Sequence, residues 1–273
     1  MTRSVFFLVM ALMLSPLVHG CQKGRGLEDQ LPREIDRELA RAASRGDVAA
    51  MDAAVKKGAD PNASSPRGMC ILDITYSYRN KRGFEHLLEL KADPHHADDN
   101  GSRVIHLVAL NPVESDWIEM VLEHGGDPNI LEPVGDQIYN SPDTPIFSAC
   151  SVGNLESVKT LVKHGANIHV IGTRGRNVVG WSASHGSPIV TQWLLENGAD
   201  WTVQDVEGTA VAEAELHREF DPTEEPEKAA AHEWILKFLA EKGVDLKAAE
   251  EKSRAIYLKN FRPREAAKQA KKP

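Results

Sequence analysis

Residues able to bind a metal or move protons are few in this chain and poorly grouped. The densest cluster is His95-His96-Ala97-Asp98-Asp99. It lies in an extended stretch between two helical ones, where adjacent side chains point to opposite sides. No second ligand pair stands at a metal-like spacing, so no metal site is expected. His106 stands alone on an apolar stretch, and His124 and His164 each precede a glycine that ends a helix. A partial positive charge suits a helix C-terminus. Thr144, Ser148 and Ser151 surround Cys150, yet the chain contains no Gly-x-Ser-x-Gly, no phosphate loop and no zinc pair at usable spacing. The chain is not expected to be an enzyme, nor to need a cofactor or a small-molecule substrate.

The elements that carry these residues are organised by one phrase that recurs six times. It reads Lys57-Gly58-Ala59-Asp60-Pro61-Asn62 in full. It returns as Lys91-Ala92-Asp93-Pro94-His95, Gly125-Gly126-Asp127-Pro128-Asn129, Gly165-Ala166-Asn167-Ile168-His169, Gly198-Ala199-Asp200-Trp201 and Gly243-Val244-Asp245-Leu246. Counted on the Asp or Asn, the steps are 33, 34, 40, 33 and 45 residues. A period near 33 marks stacked two-helix units. Nine, six and five residues before each Asp or Asn stand Met51/Ala54/Val55, Phe84/Leu87/Leu88, Ile118/Val121/Leu122, Val158/Leu161/Val162, Thr191/Leu194/Leu195 and Leu236/Leu239/Ala240. That spacing lays one stripe along one face of a short helix. Five of the six stripes are followed by a glycine suited to the left-handed position that ends a helix. Lys91 is the exception, and its helix end is expected to be strained or to deviate.

The phrase, together with Thr144-Pro145-Ile146-Phe147-Ser148-Ala149-Cys150 before Gly153, Gly101-Ser102-Arg103-Val104-Ile105-His106-Leu107-Val108-Ala109, Gly175 to Ala183 with Gly186, and Ala42-Ala43-Ser44-Arg45-Gly46-Asp47, resembles the ankyrin repeat over about residues 33–246. The resemblance implies an all-α solenoid of ankyrin repeats: about six helix-turn-helix units with short hairpin fingers, closed by a C-terminal capping helix. It implies that the His106 ring bonds backbone between neighbouring units. It places Cys70 and Cys150 at small buried positions of different units, too far apart for a disulfide. It also places the partner-reading positions around the finger glycine and after the inner helix. On this chain these include Arg67, Tyr78, Asp99, Asn100, Arg174, Arg176 and His185, with Tyr139 a further anchor in a finger lengthened over Leu131–Asp143. The partner would be a protein seated in the concave groove.

The termini add a second layer. Residues 1–20 read as a signal peptide, with Arg3 before the apolar run Val5–Leu14. Leu17-Val18-His19-Gly20-Cys21 resembles the lipobox of bacterial lipoproteins, departing from it at His19, so Cys21 is the expected lipidation site. Residues 21–32 would form the lipidated Cys and a tether, 33–246 the repeat domain, and 247–273 a capping helix (Lys247–Leu258) and a frayed basic tail with Phe261 and Pro263. Gln22 after the Cys fits sorting to the outer membrane.

The whole chain has 32 Lys/Arg against 40 Asp/Glu. Nine Lys/Arg and three Glu fall in residues 247–273, which leaves residues 22–246 at −15. Such an acidic body argues against nucleic acid. The basic end could meet anionic lipid or simply be solvated.

Ankyrin-like lipoproteins of this size resemble immunity partners of type VI secretion effectors, often lipases. The expectation is therefore a lipid-anchored periplasmic binding protein that neutralises a secreted toxin. The alternative is a periplasmic scaffold or chaperone-like partner of an endogenous stress-defence enzyme. A third reading is a membrane-active or host-directed protein displayed outside the cell.

Overall fold

The structure, a computed structural model, describes residues 26–132, 144–172 and 175–269, with side chains as far as residue 256 and at Leu258. Among the described residues there are thirteen α-helices and no strand. They fall into two compact units, Met1–Asp93 and Pro94–Pro273.

Unit 1 opens with a 3-10 turn, Leu27–Gln30, followed by α1 (Glu34–Arg45), α2 (Val48–Lys56), α3 (Ile71–Ser77) and α4 (Lys81–Glu89). The second helix of each pair begins at a side chain that accepts a backbone N–H of its first turn: Asp47 from Ala50 at 3.0 Å and Asn80 from Gly83 at 2.9 Å. Gly83 is needed for close packing, because a Cβ there would stand 1.9 Å from the Ala43 carbonyl oxygen on α1. The core of the unit is built from Leu39, Met51, Ile71, Leu72, Ile74, Phe84 and Leu87, all essentially inaccessible.

Residues 26–32, expected to belong to the tether, are folded onto this unit. Leu31 is buried, and Asp29 holds Arg41 at 2.6 Å. The apolar Leu31 following an acidic turn is what turns a tether into a cap.

Unit 2 contains α5 (Val104–Ala109), α6 (Asp116–Glu123), α7 (Pro145–Val152), α8 (Leu155–Lys163), α9 (Val178–His185), α10 (Pro188–Glu196), α11 (Val211–Leu216), α12 (Pro226–Glu241) and α13 (Leu246–Gln269). Trp117, Ile118, Val121, Phe147, Val158, Leu161, Leu194 and Leu239 fill its core. The helical stripes are buried where predicted through the fifth copy, except that Val55 and Val162 are half-buried. In the sixth copy the buried set is Ala231, Ile235 and Leu239, while Leu236 is half-buried and Ala240 exposed. That helix is 16 residues long, and its burying face is set one residue earlier than the phrase suggests.

The last helix also differs from expectation. It runs unbroken from Leu246 to Gln269, through Pro263, where a frayed tail was expected after Leu258. A proline in a helix interior removes one backbone hydrogen bond. The surrounding Ala, Lys, Arg and Glu are strong helix formers.

The phrase that ends each unit has a definite geometry. All five glycines take positive φ, from 85° at Gly198 to 95° at Gly58 and Gly165, and Lys91 follows them at 69°. Lys91 is therefore a lysine in the left-handed region, which disfavours a Cβ. The Asp or Asn that follows accepts the backbone N–H two residues on, as in Asp60 to Asn62 and Asp127 to Asn129.

Candidate protein-binding surfaces

The hairpin fingers are short turns closed by a single bridge, such as Ser64–Cys70, Ala97–Arg103 and Ile171–Asn177. In the second finger, Asp98 Oδ1 accepts the N–H of Asn100 at 2.8 Å and of Ser102 at 2.9 Å, while Gly101 takes φ 81°. In the last finger, Asp205 Oδ1 accepts from Glu207 and Thr209, both at 2.9 Å. Asp98 is therefore a turn former. Among the described residues no group of three or more His, Cys, Asp or Glu is placed to hold a metal ion. His95 joins two repeats, its Nε2 accepting the Asp127 N–H at 3.1 Å.

These turns hold the expected tip residues outward. Arg67 is exposed in unit 1, and Asp99 and Asn100 are exposed in unit 2. Tyr139 and Arg174 lie outside the described residues, as do Cys21 and most of the lengthened finger. Tyr78 is 45% exposed, but its hydroxyl is engaged within unit 1: it donates to Glu28 Oε2 at 2.9 Å and accepts from the Leu27 N–H at 3.4 Å. The Leu27–Gln30 turn thus engages part of the surface expected for a partner.

Arg176, expected to read a partner, is engaged within the unit. Its side chain is 17% exposed and pairs with Asp205, whose side chain is completely buried. The other carboxylate oxygen of Asp205 organises the finger turn, so Arg176 locks that turn to the start of α9. His185, at the end of α9, is exposed, and its ring lies 4.2 Å from that of Trp181.

His106 is buried as expected, and its ring faces the Ile130 backbone beyond the next copy of the phrase, as the resemblance implied, although neither ring nitrogen reaches full hydrogen-bond geometry among the described residues. Burial, helped by the Arg103 charge and partly offset by the Ile130 backbone, pulls its pKa down to about 4. The ring is therefore neutral at pH 7 and acts as packing. His124, by contrast, bonds the Met120 carbonyl of its own last turn at 2.8 Å. Cys70 and Cys150 are both buried and free, and burial pushes both thiols up, Cys70 further helped by Asp73. Neither is poised as a nucleophile.

Sequence reasoning missed Val206, 72% exposed at the tip of the last finger, and Arg218 just past α11. Val206 was detectable: Asp205-Val206-Glu207-Gly208 repeats the spacing of Asp98-Asp99-Asn100-Gly101. Arg218 had no such signal, since what it touches is set by packing.

Comparison with known proteins agrees with this geometry. Residues 105–205 match the family model for ankyrin repeats, in three copies. The chain is 39% identical over 70 residues to protein phosphatase 1 regulatory subunit 27 of Mus musculus, covering 24% of this chain and 42% of that protein. It is 31% identical over 81 residues to transcription regulator FGM4 of Gibberella zeae, covering 29% of this chain and 30% of that protein. The chain thus spans less than half the length of either relative it matches. The fold is an all-α ankyrin solenoid, and ankyrin repeats are scaffolds for protein–protein interaction. Among the described residues no helix is long and apolar enough to cross a membrane.

Proposed function

We propose that this protein is an exported, lipid-anchored scaffold that binds and neutralises a secreted toxin, such as a lipase-type effector. The observation that carries the binding role is the set of outward finger tips, Arg67, Asp99, Asn100 and Val206, in turns closed by backbone hydrogen bonds. Such side chains can contact a partner without disturbing the stacked helices. A relative named as a regulatory subunit of a phosphatase agrees with a chain that acts by binding an enzyme. Export and anchoring rest on the lipobox-like Val18-His19-Gly20-Cys21.

A growth assay tests both parts. Cells producing a lipase-type effector in the periplasm are expected to survive when they also carry the wild-type chain, and the purified pair to co-elute. Cys21→Ser should lose labelling by a palmitate analogue and move from membranes to the soluble periplasm. A wild type that takes up no label overturns the anchor. Co-elution with a stress-defence enzyme in place of the effector supports the alternative, a periplasmic scaffold or chaperone-like partner of that enzyme.

A further inference from the structure

Unit 2 sets Arg218 against the C-terminal end of α9 and Arg176 at its start. Arg218 touches both chain neighbours of His185. Its Nη2 donates to the Ser184 carbonyl, and its Nη1 stands 2.6 Å from where a Cβ on Gly186 would be. Arg176 lies along the first turn of the same helix, with its Cγ 3.2 Å from the position of a Cβ on Gly180, and pairs with Asp205. His185 lies within reach of both charges. The residue is exposed at its edge, but its ring packs on Trp181, and this partial loss of solvent lowers its pKa most; the Trp181 carbonyl works the other way, and Arg176 and Arg218 lower it further. His217 stands beside Arg218, exposed at its edge but partly shielded from solvent, and its pKa is lowered by that shielding first and then by the arginine.

The matching anions lie underneath. The Asp205 side chain is fully buried against Arg176, and that of Glu215 is fully buried with His232 Nδ1 at 3.0 Å. A partner approaching the end of α9 meets the edges of His185 and His217 and the half-buried Arg218, while Arg176 is already paired and the Asp205 and Glu215 carboxylates are inaccessible. This patch belongs to a body that is otherwise strongly acidic, at −15 over residues 22–246.

We propose that this patch is the docking point for an acidic segment of the protein partner, with a carboxylate set against Arg218 and His185. The inference rests on the protein-binding reading above. A guanidinium offers paired donors that match a carboxylate. His185 Nδ1 is 2.9 Å from the Trp181 carbonyl, so the neutral ring keeps its proton there and leaves Nε2 bare. A carboxylate beside Nε2 favours a second proton, taken from solvent, which turns Nε2 into a donor. Docking is thereby coupled to uptake of one proton, against the charges of Arg176 and Arg218 and with Glu215 and His232 already paired to each other. The acidic surface elsewhere repels the same segment and confines it to the patch.

A phage-displayed library of random 12-residue peptides, selected on the full chain, tests this. The expected result is an acidic consensus. The selected peptide should bind about tenfold more weakly to Arg218→Gln and to His185→Gln, and at wild-type strength to Lys159→Gln on the exposed face of α8. His185→Gln keeps the test valid if Arg218→Gln misfolds, because that ring is on the surface. In the wild type, the NMR titration midpoint of His185 should rise when the acidic peptide is bound. An apolar or basic consensus, or an acidic one that both variants bind unchanged, overturns the acidic patch while leaving the protein-binding reading intact. Enrichment of no peptide, together with no co-eluting protein in the growth-assay strain, overturns both.

Discussion

The side-chain oxygen of Asn62 accepts the backbone N–H of Asp93, the residue that stands in the next repeat where Asp60 stands in its own, at 2.6 Å. The same bond recurs in unit 2, where Asn129 accepts from Asn167 at 2.8 Å and its Nδ2 donates to the Gly165 carbonyl at 2.8 Å. His95 takes this place toward Asp127. The Asn that closes the phrase therefore acts between repeats, while the Asp two residues earlier shapes the turn within one. Asn129→Ala is expected to lower stability by about 1 kcal/mol, the net worth of such a bond. Urea unfolding measures it, and an unchanged midpoint would show that water replaces Asn129 at no cost.

Lys91 holds φ 69° where its counterparts are glycines. Lys91→Gly should therefore stabilise by a few tenths to about 1 kcal/mol, since glycine populates that region without a Cβ penalty but is also freer when unfolded. The reverse change is the control. Gly165 has φ 95°, and no atom lies within 4 Å of where a Cβ would stand, so Gly165→Val meets backbone strain alone. It should cost at least about 1 kcal/mol. Denaturant midpoints for the pair decide it, and equal values for Lys91→Gly and the wild type would contradict the strain.

Arg176→Glu should unfold the protein more readily as well as alter any binding. It places a second carboxylate beside the fully buried Asp205, and removal of one partner of a buried pair typically costs about 3–5 kcal/mol. Arg67→Glu, at an exposed tip, should leave the midpoint within about 0.5 kcal/mol. Thermal melts of the two variants separate a structural arginine from a surface one.

His86 joins the outer helices of unit 1, with Nε2 2.8 Å from Asp52 and Nδ1 2.6 Å from Glu89. Burial pulls its pKa down, but the hydrogen bonds and charges of the two carboxylates outweigh it and raise the pKa above the ordinary value. A raised folded-state pKa means stabilisation that is full below the unfolded value of about 6.5 and lost as pH rises through the folded value. His86→Gln should therefore cost a few tenths of a kcal/mol at pH 5.5 and less at pH 8.5, because both carboxylates are largely exposed. A cost that grows with pH would contradict this.

The amino-acid sequence by itself determined the two-helix repeat, its glycine-marked ends and even the anomaly at Lys91. Each of these is written within about ten residues: a stripe at helical spacing and a turn-forming Asp or Asn in all six copies, with a glycine after the helix in five, so that chance agreement drops out. It also showed which finger residues stand at tips, as for Arg67, Asp99 and Asn100. Only the tertiary structure decided what those residues touch. Arg67 and Arg176 look alike beside their finger glycines, yet Arg176 finds a buried carboxylate 29 residues away at Asp205, whereas Arg67 remains exposed. Tyr78 is met by Glu28 across 50 residues, and Arg218 reaches back across 34 to Ser184. A repeat pattern records local geometry, and such long-range pairings depend on how side chains from separate copies converge once the helices have packed.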